Sequence, residues 1–217
     1  MHLFYYFLFG KIFALIAGIY YFRFLSRPYK LVFLLVAIAT FCESYGYYLN
    51  RVLHKANNLW VFNLYMIVEA WLMGVCAIYL VGNRKLKFLF ILLLIIDTCI
   101  WFINIKLNSL DSFATLSMVC GSIVFTLMYL IILINGCIFN VKGLMLQPLF
   151  WLCISTILYF CCDIPYMGMR NYLHKEMPVL SKQLSFINTI LDIVRYPLYG
   201  ISFILLGRKK PVELKVT

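Results

Sequence analysis

Of the 217 residues, 65% are hydrophobic and 12% charged, with a mean hydropathy of +0.94. A soluble domain is roughly 45–50% apolar and has no core large enough for this much apolar surface, so the chain belongs in a bilayer. Its net charge of +11 would suggest nucleic acid in a soluble protein. Here the Lys and Arg residues, Lys11 and Arg195 excepted, fall in predicted loops and the tail, where they orient spans and meet anionic headgroups, and no nucleic-acid partner is expected.

Seven apolar segments follow one another. The first is 3–22. Its start, MHLFYYFLFGK, has no basic leader and no small-residue cleavage site, so it is expected to stay as a span. A basic turn with Arg23, Arg27, Pro28 and Lys30 leads to the second, 31–49. A polar loop (Asn50, Arg51, His54, Lys55, Asn57, Asn58) precedes the third, 60–81, which ends at Gly82-Asn83 and a cluster of Arg84, Lys85 and Lys87. The fourth is 88–105, followed by Lys106, Asn108 and Asp111. The fifth, 113–139, is long enough to tilt. Asn140, Lys142 and Gly143 turn the chain into the sixth, 146–167. The longest predicted loop, 169–183, precedes the seventh, 184–206, and the tail carries Arg208, Lys209 and Lys210.

At about 20 residues per span, these segments use most of the chain. The expected fold is a single all-α domain over 1–217, a polytopic integral membrane bundle of seven transmembrane helices. Lys and Arg in the loops after spans one, three and five and in the tail number eleven, against six after spans two, four and six. The positive-inside rule then puts the N-terminus out and the C-terminus in. Tyr20, Tyr21, Tyr47, Tyr48, Trp60, Tyr79 and Tyr172 fall near predicted interfaces, where amphipathic rings settle. The eight cysteines form no CxxC or zinc spacing and are expected to pack as small hydrophobes, the vicinal Cys161–Cys162 included.

Six of the seven spans hold an ionisable residue: Lys11, Glu43, Glu69, Asp97, Asp163, and Asp192 with Arg195. A charge in hydrocarbon costs roughly 2.5–3.5 kcal/mol on insertion scales, so these side chains are expected to face a polar interior. At a rise of about 1.5 Å per residue, Glu43 lies roughly 10 Å from the outer end of its span, and Glu69, Asp97 and Asp192 roughly 12–14 Å from theirs. Lys11 sits at a similar depth, Asp163 is shallower and Arg195 nearer the centre. The groups therefore form one layer in the outer half of the membrane. Helical spacing places Asn188, Asp192, Arg195 and Tyr199 on one stripe, Tyr65 with Glu69 on another, and Tyr159, Asp163 and Tyr166 on a third. Asp192 and Arg195, three apart, are expected to pair within their helix, and Pro197 to kink it. If all were ionised, five acids would face two bases, which suits a cationic or polar ligand. The competing reading is structural, with interhelical hydrogen bonds worth about 0.6 kcal/mol each.

Familiar membrane chemistries lack their residues. The last span has no lysine for retinal, and there is neither GxSG nor GxGD. His2, His54 and His174 fall in the terminus or loops, so no metal site is expected. No cofactor and no catalytic residue are assigned, and the chain is not expected to be an enzyme.

The string Leu25-Ser26-Arg27-Pro28, then Glu43, then Asn57-Asn58-Leu59-Trp60, then Asn63, Tyr65 and Glu69, with Pro148, Phe150, Trp151 and Tyr159 further on, resembles a family of small multi-spanning membrane proteins widespread in Bacteroidota, a family without an assigned activity. The resemblance covers spans one to three and span six. It implies a bacterial inner membrane, adds Asn63 and Tyr65 to the polar layer, and hints at a membrane or kinase partner, because members lie near sensor-kinase systems. The expected function is a sensory or accessory module with an outward-facing ligand cavity. Its candidate residues are Lys11, Glu43, Asn63, Tyr65, Glu69, Asp97, Asp163, Asn188, Asp192 and Arg195. A small transporter or channel, with proton coupling as one form of it, and an intramembrane enzyme with a carboxylate site are the alternatives. On the sensory reading, Glu69→Gln abolishes ligand response without loss of insertion.

Overall fold

The computed structural model describes residues 2–53, 58–112, 114–138 and 143–208. Loop residues His54, Lys55, Asn57, Asn140 and Lys142 and tail residues Lys209 and Lys210 lie outside that set, as does the side chain of Asn188. Every regular element among the described residues is helical: α1 His2–Tyr20, α2 Arg27–Arg51, α3 Leu59–Leu80, α4 Arg84–Asn108, α5 Thr115–Leu133, α6 Pro148–Glu176 and α7 Pro178–Arg208. A π-helical turn, Ile134–Ile138, extends α5. Six of the helices are long and apolar enough to cross a membrane, and the apolar helix Leu8–Tyr20 within α1 is shorter.

Local chemistry sets the helix ends. Pro28, Pro148 and Pro178 stand in the first turns of α2, α6 and α7, where a missing N–H costs nothing. Asn83 caps α4, its side chain accepting from the Lys85 N–H at 2.8 Å. Between α6 and α7 the structure departs from the sequence reading. The predicted 169–183 loop is helical, and only Met177 separates the two helices. Polar side chains such as Asn171, Lys175 and Gln183 mark where the apolar stretch stops, while the backbone continues as helix beyond it.

Each helix packs on its neighbour in sequence, α3 also touches α5, and α1 returns against α7 to close the ring. Small residues permit the α1–α7 contact. A side-chain carbon on Gly200 would meet the Phe13 ring at 2.6 Å and the Ala14 backbone at 3.3 Å, and one on Gly10 would meet Pro197 at 3.1 Å. This is close backbone approach through small residues. The outside of the bundle is apolar: Phe9, Ile16, Phe88, Phe102 and Ile103 are all more than half exposed. Only 28% to 44% of each spanning window is buried, and such a surface is stable only against hydrocarbon. The chain therefore has the architecture of an integral membrane protein. Tyr20, Tyr48, Tyr79 and Tyr172 are exposed near helix ends, as interfacial rings are. Cys161 and Cys162 are free and exposed on the outside of α6 rather than packed in the core.

Candidate functional site

A cavity of about 700 Å³ lies inside the ring and draws its walls from α2 to α7. Asn50, in the last turn of α2, and Asn58, immediately before α3, are among its lining residues. It therefore reaches the end of the bundle that carries the α2–α3, α4–α5 and α6–α7 connections. Glu43, Glu69, Asp97, Asp163, Asp192 and Arg195 all line it. The helical rise places these acids at one depth, and the packing turns them toward one space.

Two of the five acids are engaged by bases. Lys11, wholly buried on α1, forms an ion pair with Glu43 Oε1 and lies 4.4 Å from the centre of the Tyr196 ring. Arg195 is 1% exposed, and its Nη2 is 2.5 Å from Glu69 Oε1. The predicted Asp192–Arg195 pairing within α7 gives way to this link between α7 and α3. Arg195 Nε donates to the Tyr199 hydroxyl at 2.9 Å, and that hydroxyl lies 3.1 Å from Thr156 Oγ1. The guanidinium also sits over the Tyr159 ring at 4.1 Å and the Phe160 ring at 5.1 Å, an arrangement that favours a desolvated cation. A buried charge needs this much support, because its desolvation costs several kcal/mol.

Asp97 and Asp163 have less. Both are buried, and among the described residues the Oδ1 atom of each has no hydrogen-bond partner. Asp163 Oδ2 accepts from Ser122 Oγ at a long 3.5 Å. Asp97 Oδ1 stands 3.1 Å from the position of a side-chain carbon on Gly121, so any larger residue there would push the carboxyl back by a few tenths of an ångström. Asp192 also lines the cavity, within electrostatic reach of Lys11 and Arg195.

Lys11 stands behind the cavity wall as partner to Glu43. Tyr65 lines the cavity, one turn from Glu69. Asn63 does not line it. Its buried side-chain amide donates to the Leu110 and Ser112 carbonyls at 2.7 and 2.8 Å, and its backbone carbonyl accepts from Trp101 Nε1 at 3.1 Å. Asn63 therefore clamps the α4–α5 turn, where Ser109 adopts a φ of 66°. Asn63→Leu is expected to lose about 2 kcal/mol, from two unmet carbonyls. Amide hydrogen exchange should rise in that turn while insertion is unchanged; protection equal to wild type would remove the clamp.

Sequence reading did not assign Gly121, Ser122, Trp101 or Arg170 to the site. The first two lie on α5, the one span without a charge, so nothing drew attention to them. Trp101 follows Asp97 by four residues, a signal that was available. Arg170 belongs to the loop expected over 169–183, but in the structure it lies on α6, lines the cavity and sits 5.6 Å from the Tyr166 ring. Among the described residues no cluster of three or more His, Cys, Asp or Glu side chains is arranged to hold a metal ion. Neither family models, nor curated proteins, nor solved structures include a match to this chain.

Proposed function

We propose that the protein is a sensory or accessory module of a bacterial cytoplasmic membrane. It takes a small polar or cationic ligand into its cavity from outside and passes a helix shift to a membrane or kinase partner. The N-terminus lies outside and the C-terminus inside, in keeping with the Lys and Arg excess of the opposite loops. The cavity then opens outward. One observation carries this reading: a pocket of about 700 Å³ whose acidic lining comes from five helices, within the size range of small-molecule sites. Purification of the full chain from its native membrane is expected to bring down a stoichiometric kinase or membrane subunit. Recovery of the protein alone, from several mild detergents, would remove the accessory role.

A second reading, transport, rests on a different feature. Beyond Arg195 a string of buried hydroxyls, Tyr199, Thr156, Ser155 and Ser202, continues toward the opposite end of the bundle. Ser155 and Thr156 donate to the Leu152 carbonyl and Ser202 to that of Pro148. These hydroxyls are satisfied within the packing rather than turned to a ligand, which favours the module over the transporter. Proton flux in liposomes that depends on Asp97 would reverse that order.

A further inference from the structure

Two different jobs are divided among the acids of the cavity. Glu43 and Glu69 hold Lys11 and Arg195. Among the described residues no base lies within ion-pair distance of Asp97 or Asp163, although Arg170 and Arg195 act on Asp163 from farther off, and each keeps a buried oxygen without a hydrogen-bond partner. Burying such groups is costly unless something binds them. The two also share a location. Asp97 abuts Gly121 and Asp163 meets Ser122, at consecutive positions on α5. Each has an aromatic residue about one turn nearer the mouth on its own helix: Trp101 follows Asp97 on α4, and Tyr166 follows Asp163 on α6. Both rings are buried and line the cavity.

We infer that the inner part of the cavity is a subsite for an organic ammonium ion, whose nitrogen is held by the carboxylates of Asp97 and Asp163 at the Gly121–Ser122 step and whose hydrocarbon part rests against Trp101 and Tyr166. This rests on the proposed ligand-binding role of the cavity and names the ligand class. A carboxylate supplies the charge-assisted hydrogen bond, and an aromatic face attracts the polarised carbon shell of an ammonium ion. A bare metal ion fits less well. Calcium takes 6–8 oxygen ligands and magnesium a rigid octahedron, whereas the Gly121–Ser122 step is flanked by two carboxylates and one hydroxyl. The space is also far larger than an ion.

The test uses the full chain in nanodiscs, with benzylamine, benzyltrimethylammonium and the neutral benzyl alcohol as probes, read by calorimetric titration and by thermal shift. The amine is expected to bind and the alcohol to bind at least about tenfold more weakly, the loss of one charge-assisted contact. Asp97→Asn and Asp163→Asn should each weaken the amine by about tenfold or more, while the unliganded variants melt no lower than wild type. Gly121→Ala, which pushes on the Asp97 carboxyl without altering its charge, should weaken the amine as well. Equal binding of amine and alcohol, unaffected by the Asn variants, would overturn the ammonium subsite and leave a ligand cavity standing. Absence of binding by all three probes would overturn both readings. Tighter binding of the quaternary ion than of the amine would support the subsite and give the aromatic walls the larger share.

Discussion

Glu69→Gln is expected to cost the folded bundle about 3 kcal/mol, near the low end of what breaking a buried ion pair costs. The variant keeps the shape of the side chain but withdraws the carboxylate from Arg195 Nη2, 2.5 Å away. The guanidinium, 1% exposed, then keeps the Tyr199 hydroxyl, its aromatic neighbours and the more distant Asp192, with no carboxylate in contact among the described residues. Removing both charges, as Glu69→Gln with Arg195→Gln, should restore most of the loss, since no unpaired ion then remains. Asp97→Asn makes the opposite control. It neutralises a buried carboxyl with no base beside it and is expected to be neutral or stabilising. Unfolding in mixed micelles measures all four proteins. Equal stability of Glu69→Gln and wild type would show that the pair carries nothing. The reading from sequence made Glu69 the ligand sensor; its place beside Arg195 makes stability the first thing this variant changes.

The depth of the polar layer was legible in the sequence, and the pairing within it was not. Depth follows from counting residues at a constant rise from a span end, which requires no knowledge of neighbours. Pairing depends on how each helix is rotated and which helix it packs against. Spacing within α7 offered only Asp192 as a partner for Arg195, because periodicity reports contacts along one helix. Glu69 enters through packing between separate helices. The same limit hid Asn63. A polar residue in a span is visible, but the carbonyls of Leu110 and Ser112 that it holds are 47 and 49 residues away. Helix ends suffered from a different confusion. Hydropathy marks the thickness of the bilayer, and α6 and α7 run on as helix past it to Met177.

The layer also explains why α1 matters despite its modest length. Glu43 faces the cavity from α2, yet its base is Lys11 on α1, and α1 is held mainly by α7. The position of one cavity carboxylate therefore depends on a contact on the other side of the bundle wall.

Gly200→Leu is accordingly expected to cost about 4 kcal/mol, more than overpacking alone at about 1–3. The first added carbon meets Phe13 at 2.6 Å and the Ala14 backbone at 3.3 Å. A ring can rotate away, but a helix backbone must move as a whole, and the three further carbons of leucine leave α1 no close position on α7. Lys11 lies one turn before Ala14, so displacing α1 draws it from Glu43 and leaves a partly buried carboxylate without its base. The two effects are separable. In a background carrying Lys11→Met and Glu43→Gln, Gly200→Leu should cost only the overpacking share, and the difference between backgrounds measures the coupling. Gly168→Ala is the matched control, because its added carbon meets only Val119 at 3.9 Å. It should be neutral or stabilising by up to about 1 kcal/mol through helix propensity. The same loss in both backgrounds would mean that α1 docks independently of the ion pair, and that the cavity does not feel the α1–α7 contact.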